Sequence, residues 1–285
     1  WSIYDLVEKS LKSNDYEISC LIIQESHFVK RKNIVKSINE FCFKVIAFFE
    51  RIFFKRFINT NEFFKKHPIN SFDLKKISVK PIVSKSGFVH KFSTEDINKI
   101  KKENLDILVR GGSGILRGEI LNICKKGIIS FHHGDNDVNR GSPPGFWEVY
   151  KREKSTGFVI QILNEELDGG DVIFKGNIPT SYFYTLNMIK LYKKANVFMH
   201  LLLEDIFKKN NVKVFSKKPY DKPLYLIPSI GDQLIYLFKT FKYLLKKLFN
   251  KILGRKLKWN VAYQYSNDWR DISIRKSKII KNPPN

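Results

Sequence analysis

The chain has 285 residues and a formal net charge of +23, from 51 basic and 28 acidic side chains. Hydrophobic residues make up 43%, which is ordinary for a soluble globular protein, and no uncharged apolar run reaches the roughly 18 residues of a membrane-spanning helix. The charge favours anionic partners such as anionic lipid, nucleotide sugars or nucleic acid. Because the lysines are spread along the whole chain, a merely solvated basic surface is the simpler interpretation.

Cysteine spacing and the chain ends give further expectations about the compartment and the extent of the protein. Cys20, Cys42 and Cys124 form no CxxC pair, so we expect a reduced compartment, the cytoplasm, with neither a disulfide framework nor a zinc site. No signal peptide is recognisable. The chain starts at Trp1 and ends with Pro-Pro-Asn, so we expect an excised piece of a longer protein whose first strand has been cut away.

Hydrophobic periodicity predicts alternating helices and strands over a first domain, residues 1–215. The expected helices are 3–13, 34–57, 94–103, 115–124, 144–152 and 187–208. The expected strands are 18–23, 77–83, 105–109, 127–131 and 157–163. This alternation predicts an α/β fold with a Rossmann-like, doubly wound and mostly parallel sheet.

A second region, residues 216–285, is expected to be a linker followed by the start of another module. Pro219, Pro223 and Pro228 indicate an extended loop. Residues 230–254 carry one apolar stripe with lysines opposite, which is typical of a basic amphipathic helix. Two interpretations are open for this helix: peripheral contact with an anionic membrane at its inner face, or packing on its own domain or a partner.

Polar side chains follow two of the predicted strands. Ser130 and His132 point to the same face of strand 127–131, which ends at His133-Gly134. Ligands of open α/β sheets bind at the carboxyl ends of strands. Asp168, in a Leu-Asp-Gly-Gly turn after the next strand, is expected to face His132, fix its tautomer and raise its pKa. The alternative is a structural histidine and a simple turn aspartate.

Other chemistries find weaker support in the sequence. Gly112-Ser113-Gly114 precedes a predicted helix and suits an anion, although GxG alone is a weak signal. Adjacent His132 and His133 diverge and no HxH or HExxH spacing occurs, so no metal site is expected. A serine nucleophile lacks its GxSxG elbow.

These segments together resemble the folate-dependent formyltransferase family, which includes methionyl-tRNA, glycinamide ribonucleotide and sugar N-formyltransferases. The family carries a strand ending in Asn-x-His-Pro-Ser, then Arg-Gly, a Trp-containing helix, Thr-Gly and Leu-Asp-x-Gly. The chain is similar in order and spacing, with Ser130–His133, Arg140-Gly141, Trp147, Thr156-Gly157 and Leu167–Gly170. The resemblance covers about residues 1–205.

The resemblance implies a formyltransferase fold and formyl transfer from 10-formyltetrahydrofolate to an amine, with His132 and Asp168 catalytic. Ser130 stands where the family has asparagine, and His133 where it has proline. Either Ser130 or His133 then supplies the missing donor, or activity is altered or lost. The residues implied for the pterin pocket are Gly111, Gly112, Gly114, Ile115, Leu116, Asn164, Glu165 and Leu167. Those implied near the acceptor are Arg140, Gly141 and Trp147.

The pattern HHGDN…NRG…PPGFWE resembles a divergent branch of the family in surface-polysaccharide biosynthesis, which implies an amino sugar, carried on a nucleotide, as acceptor. Transfer to a tRNA-linked amino acid is an alternative, but residues 206–285 do not read as the C-terminal β-barrel of that enzyme. An inactive formyltransferase fold that acts as a binding or membrane-docking module is another. The tail near Trp259–Trp269 resembles the opening of a glycosyltransferase-associated domain, so we expect a fused downstream module.

Overall fold

The computed structural model describes residues 2–25, 34–55, 60–112, 114–135, 137–166, 170–209, 214–215 and 224–254. The helices in these residues are α1 (Ser2–Ser10), α2 (Ile34–Phe54), α3 (Thr60–Phe64), α4 (Thr94–Lys101), α5 (Phe146–Lys151), α6 (Tyr184–Lys209) and α7 (Ile230–Ile252). The strands are β1 (Cys20–Gln24), β2 (Lys75–Val79), β3 (Ile82–Val83), β4 (Val89–Lys91), β5 (Leu108–Arg110), β6 (Ile115–Leu116), β7 (Ile128–His132), β8 (Arg140–Gly141), β9 (Ser155–Ile162), β10 (Asp171–Pro179) and β11 (Leu224–Tyr225).

The predicted α/β class is confirmed, and the strands form parallel and antiparallel pairs. A four-stranded sheet has the order β10-β9-β7-β5, in which β5 and β7 are parallel and β9 is antiparallel to both of its neighbours. Strands β1 and β2 form a separate parallel pair. Strand β4 pairs in parallel with β6 and antiparallel with β3, and the short strands β8 and β11 are parallel.

Two apolar cores cover the two faces of β7. Successive strand side chains point to opposite faces. Ile129 therefore packs with α1 and α6, through residues such as Leu6 and Leu191, whereas Ile128 packs with α4, through Ile97 and its neighbours. Both isoleucines are fully buried, and each such burial stabilises the fold by roughly 1.5–3 kcal/mol. The carboxyl end of β7 is thereby held between two packed layers.

The prediction of a helix over residues 115–124 is wrong. Ile115–Leu116 is strand β6, and Glu119–Asn122 is a single 3₁₀ turn. Gly114 and Gly118 have φ angles of +88° and +82°, so the backbone leaves the right-handed helical region on both sides of β6. Strand β10, which pairs with β9 over its whole length, was not predicted from the sequence either.

Helix α7 begins with a capping box in which Ser229 and Asp232 bond each other's backbone N–H groups. The helix packs on its own domain through Gln233, Tyr236 and Thr240, which are its buried residues. Its predicted apolar stripe stays exposed, as does much of α2. The exposed members of this α2–α7 apolar surface include Ile38, Phe41, Phe48, Phe49, Ile52, Phe53, Leu234, Phe238, Phe241, Leu245, Leu248, Phe249 and Ile252.

None of the helices within residues 2–254 that the structure describes is long and apolar enough to cross a membrane. The predicted tail elements after Gly254 lie outside the described residues. The proposed domain boundary at residue 215 also falls among segments of which only short pieces are described, and it remains a prediction.

Candidate active site

Ser130 and His132 lie on one face of β7 at its carboxyl end. Ser130 is half-buried, and its hydroxyl donates to the carbonyl of Phe131 at 3.3 Å. Its register partners are Arg110 on β5 and Gln161 on β9. Opposed residues on paired strands share a face, so these side chains form one row across three strands.

His132 is held by the turn that follows β7. A Cβ at Gly134 would lie 3.3 Å from Nε2 of His132 and 3.1 Å from the carbonyl oxygen of Asn139. The absence of a side chain at Gly134 therefore lets the turn close against the imidazole. Backbone packing thus places the ring at the strand end, and a catalytic role for His132 stays a prediction.

Gln161 is a site residue that the sequence analysis missed. Its side chain is 5% exposed, and its Oε1 is buried without a hydrogen-bond partner among the described residues. An unsatisfied buried polar atom costs about 1–3 kcal/mol, so its retention beside Ser130 suits a ligand donor. The only signal for Gln161 in the sequence is that its amide interrupts the apolar run GFVIQIL. That it lies beside Ser130 follows from the register between β7 and β9, which the sequence does not show.

Arg110, Gln24 and His90 form a polar network where β5, β1 and β4 meet, and this network was also missed. Arg110 Nη1 donates to Gln24 Oε1 at 3.1 Å, and Gln24 Nε2 lies 2.8 Å from His90 Nδ1. Arg110 Nη2 reaches the Gly114 carbonyl at 3.4 Å. Burial lowers the pKa of Arg110 to about 10, so the guanidinium remains cationic at neutral pH. A positive charge thus sits one strand from Ser130.

His133 points to the opposite face of the sheet from His132. Its ring stacks on Tyr192 of α6 with centroids 3.8 Å apart, and on Phe131 at 5.4 Å. Burial lowers the pKa of His133 to about 3, and the neighbouring His132 adds to this effect. A neutral, stacked imidazole in the α6 layer does not share the face of Ser130, so the structure does not bring His133 to the other candidates.

The residues implied for a pterin pocket fall into two groups. Glu165 accepts from the Gly118 N–H at 2.8 Å and from Arg117 at 3.2 Å, which ties the 164–166 loop to the chain just after Leu116. Asn164 Oδ1 accepts from the Glu166 N–H at 2.9 Å. Gly114, Ile115, Leu116, Asn164 and Glu165 therefore belong to one neighbourhood.

Gly111 and Gly112 belong elsewhere, at the end of β5. A Cβ at Gly111 would overlap Ile3 of α1, so this glycine permits helix packing. A Cβ at Gly112 would lie 3.3 Å from Nη1 of Arg110. The pair therefore lies beside the guanidinium and the start of α1.

Leu167 and Asp168 lie outside the described residues, so the contact expected between Asp168 and His132 stays a prediction. Strand β9 is antiparallel to β7, and it ends at Ile162 opposite Ile129. The loop that carries Asp168 therefore starts about 10 Å along β7 from His132.

The three residues implied for the acceptor contact the chain itself. Gly141 has φ +102°, and a Cβ there would overlap the carbonyl of Tyr225 on the paired strand β11. Trp147 Nε1 donates to the carbonyls of Ser142 at 3.3 Å and Leu226 at 3.2 Å. Gly141 and Trp147 thus fix the 224–226 segment, and Arg140 heads this strand pair. Within the described residues no cluster of three or more His, Cys, Asp or Glu suits a metal ion.

No protein-family model matches this chain. Curated proteins do: a methionyl-tRNA formyltransferase of Clostridium acetobutylicum is 27% identical over 195 residues, which cover 67% of this chain and 60% of that protein. The chain is homologous to formyltransferases. It spans 60% or less of the length of the first curated relatives it matches.

Two solved formyltransferase structures are also similar to this chain. A sugar N-formyltransferase from Shewanella sp. aligns with TM-score 0.42 and 24% identity, over 61% of this chain and 71% of that one. The formyltransferase PseJ from Anoxybacillus kamchatkensis, solved with UDP-4,6-dideoxy-4-formamido-L-AltNAc and tetrahydrofolate, aligns with TM-score 0.39 and 16% identity, over 60% and 82%.

Proposed function

We propose that this protein transfers a formyl group from 10-formyltetrahydrofolate to an amine, and that the amine belongs to a nucleotide-linked amino sugar. The observation that carries the proposal is the pair Ser130 and His132 at the carboxyl end of β7, in a chain homologous to formyltransferases. The proposed compartment is the cytoplasm, where surface-polysaccharide precursors are made.

The residues present fit the folate donor. Gln161 offers a buried carbonyl oxygen without a partner among the described residues, which a pterin N–H can use. The loops at Leu116 and at Asn164–Glu165 are already tied together by the Glu165 hydrogen bonds, so their backbone groups would hold the ring. The bound cofactor supplies the formyl group.

His132 is proposed to act as the general acid–base at the strand end. It takes a proton from the attacking amine and returns one to the nitrogen that leaves the formyl carbon. Ser130 and the cation of Arg110 stabilise the negative charge that develops on the formyl oxygen. Asp168 is proposed to orient His132, and Arg140 to pair with a phosphate of the sugar nucleotide.

The choice of acceptor rests on the pattern HHGDN…NRG…PPGFWE, which resembles that of a family branch in surface-polysaccharide biosynthesis and therefore supports an amino sugar. Because the chain is similar in sequence to methionyl-tRNA formyltransferases, the test also includes a tRNA substrate.

The test is turnover of 10-formyltetrahydrofolate by the full-length protein with UDP- and dTDP-amino sugars and with methionyl-tRNA. We expect formyl transfer to one amino sugar class, and loss of that transfer in His132→Ala with an unchanged circular dichroism spectrum. Formyl transfer to methionyl-tRNA alone would mean that the acceptor is a tRNA-linked amino acid and not an amino sugar. Neither transfer nor folate binding would make the formyltransferase proposal wrong.

A second function is favoured by the α2–α7 apolar surface, which the described residues leave exposed beside the lysines of α7. Aromatic and aliphatic side chains next to Lys242, Lys246 and Lys247 suit the surface of an anionic membrane. We expect flotation with vesicles containing phosphatidylglycerol and loss of flotation in Phe238→Glu/Phe241→Glu. Phe88→Glu, an exposed residue outside α2 and α7, is the matched control. Equal flotation of both variants would mean that the α2–α7 apolar surface does not bind the membrane.

A further inference from the structure

The turn between β7 and β8 is closed by hydrogen bonds to Asp135. The backbone N–H groups of Val138 and Asn139 both donate to the Asp135 carbonyl at 2.8 Å, and the Asp137 N–H donates to the Asp135 side chain at 3.0 Å. Because these bonds join the two ends of the turn, a displacement of Asn139 also moves the residues that follow β7.

The backbone of Asn139 lies close to the end of β7. Its carbonyl oxygen and Nε2 of His132 approach the same point above Gly134, at 3.1 and 3.3 Å from the position of an added Cβ. The Asn139 carbonyl and the His132 ring are therefore neighbours across Gly134, and the position of one limits the position of the other.

The Asn139 side chain is buried where the turn meets α5. The residue is 5% exposed, and its Oδ1 accepts from Nζ of Lys151 at 3.1 Å. The same ammonium group donates to the Tyr225 hydroxyl of β11 at 2.7 Å and lies 4.3 Å from the centre of that ring. Lys151 thus ties the turn to both α5 and β11.

Glu148 lies three residues before Lys151 on α5, so the two side chains are neighbours on the helix surface. Glu148 is 3% exposed, and burial raises the pKa of its carboxyl group. Hydrogen bonding from its own backbone N–H and from the Asn139 amide opposes this rise, as does the charge of Lys151. Nδ2 of Asn139 is buried and makes no hydrogen bond of regular geometry among the described residues, so the Glu148 carboxyl is the acceptor placed to take it.

The Asn139 amide therefore lies between a cation and an acid. An amide has one accepting oxygen and one donating N–H₂ group. In this orientation the oxygen meets the ammonium and the N–H₂ group meets the carboxyl, whereas a flipped amide would oppose like groups on both sides. We call Asn139, Glu148 and Lys151 the Asn139 clamp. The pattern HHGDN…NRG…PPGFWE supplies both Asn139 and Glu148, and the proposed steps of formyl transfer give neither of them a role.

We propose that the Asn139 clamp is a positioning unit for His132. Asn139 and Glu148 hold the turn after β7 against α5, and the turn holds the imidazole at the strand end. The inference rests on the proposed role of His132 in formyl transfer. A misplacement of about 1 Å can cost roughly 100-fold in rate. Because the clamp acts on the imidazole and not on substrate binding, its loss should lower kcat far more than it raises KM.

The experiment exchanges the donor and the acceptor of the clamp. Asn139→Asp sets a carboxylate oxygen against the Glu148 carboxyl, and it should lower kcat for formyl transfer about 10-fold or more while KM stays within about threefold. In Asn139→Asp/Glu148→Gln, the aspartate still accepts from Lys151 and the glutamine amide donates to it. We expect kcat of this double variant to return to within about threefold of wild type. Asn98→Asp, on the exposed face of α4, is the matched control for the added charge.

A second readout does not need turnover. The titration midpoint of the His132 imidazole, followed by NMR, reports the surroundings of the ring. Asn139→Ala leaves the net charge unchanged, and we expect it to shift this midpoint by about half a pH unit or more. The midpoint of His67, which contacts Glu62 and Tyr4 instead, should stay in place. If no formyl transfer is ever observed, this shift still tests the clamp.

Circular dichroism establishes that each variant is folded, and Asn139→Ser serves for the NMR measurement if Asn139→Ala does not fold. A double variant that is no more active than Asn139→Asp would overturn the proposal. So would an unchanged His132 midpoint in a folded variant at position 139. Either result would mean that the clamp only stabilises the packing of α5.

Discussion

Ser130 decides how closely this site follows the chemistry of its relatives, and its neighbours on both sides are now defined. A serine hydroxyl donates one hydrogen bond over a shorter reach than an asparagine amide. Arg110 and Gln161 are its register partners, and both carry long polar side chains on the same face. The row therefore offers donors that compensate for the short side chain at position 130.

We expect Ser130→Asn to lower kcat for formyl transfer, because the larger amide competes for space with Arg110 and Gln161. The expected loss is about 10-fold or more, the lower end of effects seen when a charge-stabilising donor is displaced. Ser130→Thr, which keeps the hydroxyl, is the matched control. A gain of activity in the asparagine variant would instead indicate a site that has decayed from the family pattern.

His133 gives a pH-dependent stability that can be separated from activity. Its pKa is lowered to about 3 in the fold, against 6.5 for the free side chain. The unfolded chain therefore binds a proton that the folded chain excludes, so stability is present above pH 6.5 and is lost as pH falls towards 3. The slope from this one group is at most about 1.4 kcal/mol per pH unit.

We expect His133→Phe to flatten this acid dependence, since phenylalanine keeps the stack on Tyr192 without a titrating nitrogen. Urea unfolding at pH 7.5 and pH 5 measures the difference. The same exchange at the partly exposed His67 is the control and should leave the slope in place. An equal slope in wild type and His133→Phe would assign the acid sensitivity to other groups.

The residues found by sequence and those missed differ in what determines their position. Alternation along one strand is enough to put Ser130 and His132 on one face, and the structure has both there. The same rule puts His133 on the other face, where the tertiary contact with Tyr192 then fixes its role. Arg110 and Gln161 depend on the register between strands, which local periodicity does not encode.

At the scale of elements, β8 and β11 show how a two-residue strand pair can hold a loop in place. Gly141 combines a φ of +102° with direct approach of the Tyr225 carbonyl, and Trp147 closes the same segment with hydrogen bonds to Ser142 and Leu226. The resemblance to the family implies that these residues lie near the acceptor, and that role stays a prediction. Their contacts in this structure are with the chain itself, so their first effect is on the segment that borders Arg140.

We expect Gly141→Ala to lower the free energy of unfolding by about 3 kcal/mol or more, because strain at positive φ adds to an overlap with Tyr225. Gly118→Ala is the matched control: its φ is +82°, but no atom lies within 4 Å of the added Cβ. It should cost only about 1–2 kcal/mol. Urea unfolding of the two variants measures the contrast, and equal losses would mean that the β8–β11 contact contributes little.

Elements were predictable where one physical signal dominated. Helix α4 has an N-cap serine, Ser93, whose side chain accepts a hydrogen bond from the backbone N–H of Asp96. The helix predicted over residues 94–103 is confirmed as Thr94–Lys101. Residues 115–124 have helical periodicity, but the glycines on both sides take positive φ and the segment forms β6 and a turn. Strand β10 was missed because Asp171–Pro179 mixes Gly, Asn and Lys with its apolar residues, and its partner β9 provides the missing constraint.

At the scale of the whole molecule, α2, α6 and α7 are joined by one buried polar network. Glu50 of α2 accepts from the Thr185 N–H at the start of α6 at 2.7 Å, and it also accepts from the Tyr236 hydroxyl of α7. The Tyr184 N–H donates to Tyr236 at 2.9 Å. The sequence left open whether the apolar stripe of α7 contacts an anionic membrane or packs on its own domain or a partner. The helix docks on its own domain through Gln233, Tyr236 and Thr240, because this network anchors that face.

Burial raises the pKa of Glu50 even though the Tyr236 hydroxyl and the Thr185 N–H donate to its carboxylate. The folded chain therefore holds a proton on Glu50 at pH values where the unfolded chain has released it. Stability from this group is fully present below pH 4.5 and is lost as pH rises through the folded pKa. Glu50→Gln removes the titration while keeping a carbonyl oxygen that accepts from the Thr185 N–H. As pH rises from 4.5 to 7, the free energy of unfolding of the variant should therefore increase relative to that of wild type.

The measurement is urea unfolding across that pH range, with Glu40→Gln, on the same helix, as the control. Glutamine also brings an N–H₂ group that must find an acceptor, so the variant can start less stable at pH 4.5. The informative quantity is therefore the change with pH and not the absolute value. Parallel pH profiles for wild type and Glu50→Gln would mean that the carboxylate is ionised at no cost, and that the three helices are held together by their apolar contacts around Phe43 and Phe146.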